Sequence, residues 1–242
     1  MNPGNADTGD ETGAGESVGT FFDGLIDDYA ETIERCFPRY REMLWALLDY
    51  LPLHQEVQTI LELGCGTGNL SVLLKQKFPE ASIWFVDVSG DSLEVCQSRV
   101  GSSKQYAFDQ HDFRDMQFDA GMFDLVTSSI AIHHLVPEEK QSLFEDVNVW
   151  LKPEGVFSFA DQMSGATDDL YSRHMLNWQT ASLGAGSTED EWSMWMQHQM
   201  EHDHHDNLID HIEWLRSAGF PVIDVPWRYL LWTVMQCRKA GN

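Results

Sequence analysis

Between residues 59 and 160, short apolar runs alternate with segments of helical period, and this alternation restricts the fold more than any other feature of the chain. Residues 59–63, 82–86, 105–109, 123–128 and 155–160 read as strands, with helices over 68–77, 91–99 and 137–151 between them. Strands that are apolar without interruption are buried on both faces, and strands separated by helices pair in parallel. The expected fold is therefore α/β, a mostly parallel sheet forming the middle of a three-layer sandwich. Residues 207–218 read as a helix ended by Gly219, and 221–226 and 229–237 as a closing antiparallel hairpin that brings the sheet to seven strands. Upstream, helices are expected over 23–35 and 38–50. The second has Pro38 in its first turn and Met43, Leu44, Leu47, Leu48 and Leu51 at helical spacing. Residues 1–19 are glycine, acid and small polar residues that bury too little to offset ordering entropy, so a disordered tail is expected there. Residues 20–242 then form one domain, with lid helices over 20–53 and a helical insertion over 163–205 as a cap.

The charge balance limits partners. Fifteen Lys and Arg face thirty-nine Asp and Glu, a net charge of -24. Nucleic acids and anionic membrane surfaces need basic clusters, so neither is an expected partner, and a small-molecule substrate follows by elimination. No apolar run reaches the roughly 18–20 residues that span a bilayer, and no basic, then apolar, leader is present. Cys36, Cys65, Cys96 and Cys237 are scattered without paired spacing, which fits reduced thiols in a cytoplasmic protein.

The chemistry begins at Glu62-Leu63-Gly64-Cys65-Gly66-Thr67-Gly68, where the first strand meets its helix. Glycines there let the backbone turn sharply and approach a ligand, and the helix behind presents free N–H groups. A nicotinamide dinucleotide site needs G-x-G-x-x-G or alanine in the last place; here that place holds Asn69. The E-x-G-x-G-x-G register instead resembles the first motif of class I S-adenosylmethionine-dependent methyltransferases, which have a Rossmann-like fold. Asp87 ends the second strand about twenty residues later, where a carboxylate can accept ribose hydroxyls. Asp91 and Ser92 read as caps of the next helix. Gln110-His111-Asp112-Phe113 resembles the family's adenine step, in which the acid takes the exocyclic amine and the next residue packs on the ring. In the element running from Asp124 to Leu135, the backbone would pass the methionine part. Phe37-Pro38-Arg39-Tyr40 resembles the lid motif of carboxy-S-adenosylmethionine synthases, which implies a ligand contact for Tyr40; packing of Tyr40 on the core is the competing role. The resemblance thus assigns S-adenosylmethionine to Tyr40, Glu62, Gly64, Cys65, Gly66, Asp87, Val88, Asp112, Phe113 and Ser129.

The departures from those synthases matter. Between Arg173 and Arg216 the chain has no Lys or Arg, so an anionic substrate such as prephenate would lack its counter-charge. The insertion instead offers Tyr171, His174, Trp178, Trp192, Trp195, Met196, His198 and the run His202-Asp203-His204-His205-Asp206. Its aromatic faces suit either a cation, worth about 0.5–2 kcal/mol each, or the apolar underside of a lid. His198 with His202, or His202 with Asp206, are one helical turn apart, but methyl transfer in this family generally needs no metal and none is expected.

In-line methyl transfer chiefly needs positioning, with a general base where the nucleophile is protonated. His134, after the fourth strand, and Asp161, at the end of the fifth, are the expected candidates for that base. The expected function is methyl transfer to a small, neutral or cationic molecule. One alternative is a cyclase of the same fold, in which the cofactor's own amine closes a ring and methylthioadenosine leaves; another is a non-catalytic binding module. Trp227, Tyr229 and Trp232 on the last strands leave a homodimer open.

Overall fold

A computed structural model describes residue 33, residues 35–51 and residues 57–241. The expected tail over 1–19 and most of the expected helix over 23–35 lie outside the described residues. Seven strands form one sheet in the order β3-β2-β1-β4-β5-β7-β6. They are β1 (Thr59–Leu63), β2 (Ser82–Asp87), β3 (Tyr106–Gln110), β4 (Phe123–Ser129), β5 (Leu151–Gln162), β6 (Val222–Tyr229) and β7 (Trp232–Arg238). The first five pair in parallel, and β7 runs antiparallel to both β5 and β6. The helices are α1 (Tyr40–Asp49), α2 (Asn69–Lys77), α3 (Gly90–Val100), α4 (Pro137–Trp150), α5 (Asp168–Gly184), α6 (Glu189–His202) and α7 (Leu208–Ser217). This is the Rossmann-like sandwich that the alternation implies, with the hairpin at its end.

Successive residues of each strand feed opposite faces. Ile60, Phe85, Leu125 and Val156 pack with α1, α2 and α3, whereas Leu61, Val86, Val126 and Phe157 pack with α4 and α7. Burial on both faces is why these strands are apolar throughout. Chain order reverses between β1 and β4, and such a switch point leaves a crevice beyond the carboxyl ends of the strands. At the opposite end, the Asp124 carboxylate accepts from the backbone N–H groups of Gln58 (3.0 Å) and Thr59 (2.9 Å) and pairs with Lys152 Nζ at 2.9 Å. No helix among the described residues is long and apolar enough to cross a membrane.

Two helix starts differ from expectation. Pro38 lies in the turn before α1, not in its first turn, because Arg39 takes a left-handed backbone (φ 63°) that a right-handed helix cannot include. Its guanidinium lies 4.2 Å from the centre of the Tyr229 ring, which holds the turn against the last hairpin. Helix α3 is capped by Ser89, whose hydroxyl accepts from the Ser92 N–H, not by Asp91 or Ser92.

The insertion contributes α5 and α6, and its tryptophans are packed inward. Phe37 sits among Trp178, Trp195 and Trp232, with ring centres 5.3–5.8 Å apart. Trp178 Nε1 donates to the Cys36 carbonyl at 2.6 Å. Each fully buried large side chain contributes about 1.5–3 kcal/mol, so this cluster ties the insertion to the segment leading into α1. Trp178, Trp192 and Trp195 are therefore the underside of the cap and not a cation-binding face. Trp232 belongs to the same core and offers no surface for a dimer.

Candidate functional site

Immediately after β1 the chain doubles back through three left-handed glycines, Gly64 (φ 67°), Gly66 (φ 50°) and Gly68 (φ 89°). A Cβ on Gly64 would lie 2.4 Å from that of Ala131, so the turn and the end of β4 approach too closely for any side chain. A Cβ on Gly66 would meet no atom within 4 Å, because that residue opens onto a cleft. The Gly66 N–H donates to Asp87 Oδ2 at 2.7 Å, and the Ser89 N–H to Asp87 Oδ1 at 2.9 Å. The acid ending β2 is thereby fixed across the glycine turn.

A half-open cleft lies beside the glycine turn. All ten residues assigned to the cofactor line it, from Tyr40 and Glu62 through Asp87, Val88, Asp112 and Phe113 to Ser129, and so does His134. Tyr40 Oη accepts from Asn69 Nδ2 (3.3 Å), Asn69 Oδ1 accepts from Arg99 (2.8 Å), and Arg99 also donates to the Thr67 carbonyl (2.6 Å). The chain of bonds links α1 to the glycine turn. Asp112 has a structural duty as well. It caps the turn Phe113–Asp115 by accepting from the Arg114 N–H, and Arg114 also forms an ion pair with Glu139 at 3.1 Å.

Glu62 is the test of fit for a cationic ligand. Its carboxyl is buried and its Oε2 has no hydrogen-bond partner. Burial raises its pKa well above the ordinary range, and the neighbouring Cys96 and Asp87 add to the rise against the Ser71 hydrogen bond. An acid so placed on a cleft wall fits the ammonium of an amino-acid ligand, which would supply the missing donor. Ile130, on the same wall, has a left-handed backbone (φ 55°). For a β-branched residue that is strained, and such strain concentrates at functional sites.

The far end of the cleft is built from histidines. His133 and His134 occupy the turn Ile132–His134 after β4. Asp161 does not line the cleft. Its carboxylate is buried, 2.5 Å from His133 Nδ1, and accepts from the backbone N–H groups of His133 and Gln162. The pairing of Ser129 with Ala160 sets the next β5 residue beside the 130–133 turn and not beside the crevice. Burial lowers the His133 pKa and outweighs the pull of Asp161. Asp203, the C-cap of α6, comes 3.2 Å from His134 Nδ1. Thr67, Asn69, Ser92, His111, Arg114, Ile130 and Ala131 also line the cleft and were not singled out as ligand contacts. All are neighbours of the motifs, and only their adjacency could have pointed to them.

A methyltransferase-domain family matches residues 60–155. Residues 60–155 are thus similar to a methyltransferase domain. The cofactor of such a domain is S-adenosylmethionine, and the cleft borders the matched segment's glycine turn, Asp87, Asp112 and His134. Among similar proteins is a malonyl-[acyl-carrier protein] O-methyltransferase of Ilyobacter polytropus, 33% identical over 106 residues, 44% of this chain and 40% of the relative. An uncharacterized methyltransferase of Staphylococcus carnosus is 31% identical over 142 residues, 59% of this chain and 63% of the relative. The chain thus aligns with less than two thirds of the length of either. The solved DhpI–SAH complex shares the fold at a TM-score of 0.67 and 17% identity, covering 96% of this chain and 100% of that one.

Proposed function

We propose that this protein transfers a methyl group from S-adenosylmethionine to a small acceptor that is neutral or cationic. The observation that carries this reading is the set of acids around one glycine turn. Glu62, Asp87 and Asp112 line the same cleft at the switch point of the sheet. They offer partners for an ammonium, a pair of ribose hydroxyls and an exocyclic amine in sequence along it. When bound, the cofactor supplies a methyl group on a sulfonium, which is already activated for in-line displacement.

The chain's own contribution is positioning. Gly66 admits the ligand close to the backbone, Tyr40 covers it from α1, and Asp203, at the end of the cap, lies against His134 on the cleft wall. His134 is the residue placed to take a proton from the acceptor, while Asp161 acts through His133 as a positioning residue. The net charge of -24 favours neutral or cationic acceptors. Four buried cysteines, all free thiols, support a reducing, cytoplasmic setting. The last hairpin, with Trp227 and Tyr229 half-buried on β6, is the surface a homodimer would use.

The deciding experiment incubates the pure protein with S-adenosylmethionine, with and without a panel of small amines, phenols, alcohols and acids. The reading expects S-adenosylhomocysteine to form only with an acceptor. Methylthioadenosine appearing without any acceptor would overturn it in favour of the cyclase.

A further inference from the structure

We infer that His133, His134 and Asp203, flanked by His198 and His205, bind one divalent transition-metal ion at the acceptor end of the cleft. One ring nitrogen each of His133 and His134 and a carboxylate oxygen of Asp203 all lie within 4.8 Å of one another. Three imidazoles converge on a single oxygen, Asp203 Oδ1: His134 Nδ1 at 3.2 Å, His133 Nε2 at 3.6 Å and His198 Nε2 at 3.7 Å. A fourth, His205 Nε2, lies 3.5 Å from Oδ2. All five side chains are buried or nearly so, with 3–11% of each exposed.

These spacings are longer than close charge-assisted hydrogen bonds and match those between ligands that share one ion. A charge-assisted hydrogen bond would close to about 2.7–2.9 Å, yet Asp203 Oδ1 and His205 Nε2 are buried without a hydrogen bond of normal geometry. Nitrogen and oxygen ligands bound at about 2.0–2.2 Å to one ion sit roughly 3.0–3.5 Å from each other. Two histidines and a carboxylate are also a donor set for such ions.

The outer edges of the rings are held as ligand rings are held. His133 Nδ1 faces the Asp161 carboxylate at 2.5 Å, which turns its Nε2 toward Asp203. His205 Nδ1 meets Tyr171 Oη at 2.8 Å, and Gln199 donates to that same hydroxyl at 3.1 Å. The backbone joins the pieces, since the His204 N–H donates to the His133 carbonyl at 2.7 Å. Lys140, the nearby cation, is engaged elsewhere, with Asp206 and the His204 carbonyl.

Of the five residues only His134 lines the cleft, so the ion would face it there. On the methyltransferase reading above, on which this last step rests, the ion would hold an acceptor through an oxygen or nitrogen lone pair, with His134 a ligand instead of a base. This departs from the metal-free expectation drawn from the sequence.

The test uses the full chain purified without a histidine tag, stripped with chelator and titrated with zinc(II) or cobalt(II) alone. One ion per chain is expected, with the visible spectrum of a low-coordinate cobalt(II) site. Asp203→Asn should abolish tight binding, and the outer variants Asp161→Asn and Tyr171→Phe should each weaken it about 10- to 100-fold. Y171F keeps the core intact if D203N fails to fold. Calorimetry with S-adenosylhomocysteine should give the wild-type affinity in Y171F. No stoichiometric ion in the wild type, or unchanged affinity in Y171F and a folded D203N, would overturn the inference. Metal binding without S-adenosylhomocysteine binding would instead overturn the methyltransferase reading and leave the metal site standing.

Discussion

The two ends of the cleft are built in opposite ways. At the glycine end, contacts come from short local segments: 62–69, 87–92 and 111–114 each present a run of adjacent residues, mostly through backbone and acid. At the histidine end, the ring of donors is gathered from the turn after β4, the end of β5, the last turn of α6 and the segment after it. The first end is a motif, since its geometry follows from left-handed glycines at fixed spacing. The second is an assembly, existing only because the cap docks through Phe37, Trp178 and Trp195. Changes at the glycine end should thus alter cofactor affinity without touching metal content, and changes at the histidine end should do the reverse.

The sharpest test of that division is within the glycine turn itself. Gly64→Ala forces a left-handed backbone and a 2.4 Å contact with Ala131. The combined cost is about 2–5 kcal/mol of stability, visible as a lowered calorimetric midpoint. Gly66→Ala meets no atom and costs only about 1–2 kcal/mol of backbone strain. Its methyl enters the cleft, so S-adenosylhomocysteine affinity should fall more than the midpoint does. Equal losses of stability in both variants would show that the turn is shaped for folding alone. Next in size, Asp87→Asn removes a charged acceptor from Gly66, Ser89 and the ligand. About 1.5–3 kcal/mol of binding should go, a tenfold or greater rise in dissociation constant, with metal stoichiometry unchanged.

The same contrast explains what could be read from the sequence. The strands, the hairpin, the glycine turn and Asp87 are legible because each depends on local periodicity or on residues within one loop. The histidines were visible as residues but not as a group. Helical spacing pairs His198 with His202, whereas the structure turns His198 toward Asp203, beyond the helix, and toward His134, 64 positions earlier by their numbers. Asp161 falls outside the cleft lining for a related reason: its place at a strand end is local information, but its direction is set by the neighbouring turn. The cap's tryptophans had two readings until Phe37 and Trp232 were placed beside them, and no spacing within 163–205 could decide between them.

Glu62 gives a test through pH. Its pKa is raised in the folded, ligand-free protein, by burial first. Below the ordinary carboxyl range both folded and unfolded chains hold the proton, and this contribution to stability is complete. As pH rises toward the raised value, the unfolded chain releases its proton first, so stability falls. Glu62→Gln should flatten that fall in a series of thermal midpoints against pH. If the ammonium of the ligand is what Glu62 meets, wild-type binding releases a proton at pH values below the raised pKa. Calorimetric enthalpies should then depend on the buffer's ionisation heat, and this dependence should vanish in E62Q.

The smallest expected effect falls on Tyr40, where the lid joins the glycine end. Tyr40→Phe removes the hydroxyl that accepts from Asn69 while leaving the buried ring in place. A hydrogen bond of 3.3 Å between neutral groups is worth about 0.5–1.5 kcal/mol, so S-adenosylhomocysteine should bind about threefold to tenfold more weakly. Asn69→Ala should weaken binding by a similar factor, and the double variant should lose little more than either single one if the two act as a unit. Additive losses would mean that Tyr40 meets the ligand independently of the glycine turn, and the lid would then belong to neither end of the cleft but bridge both.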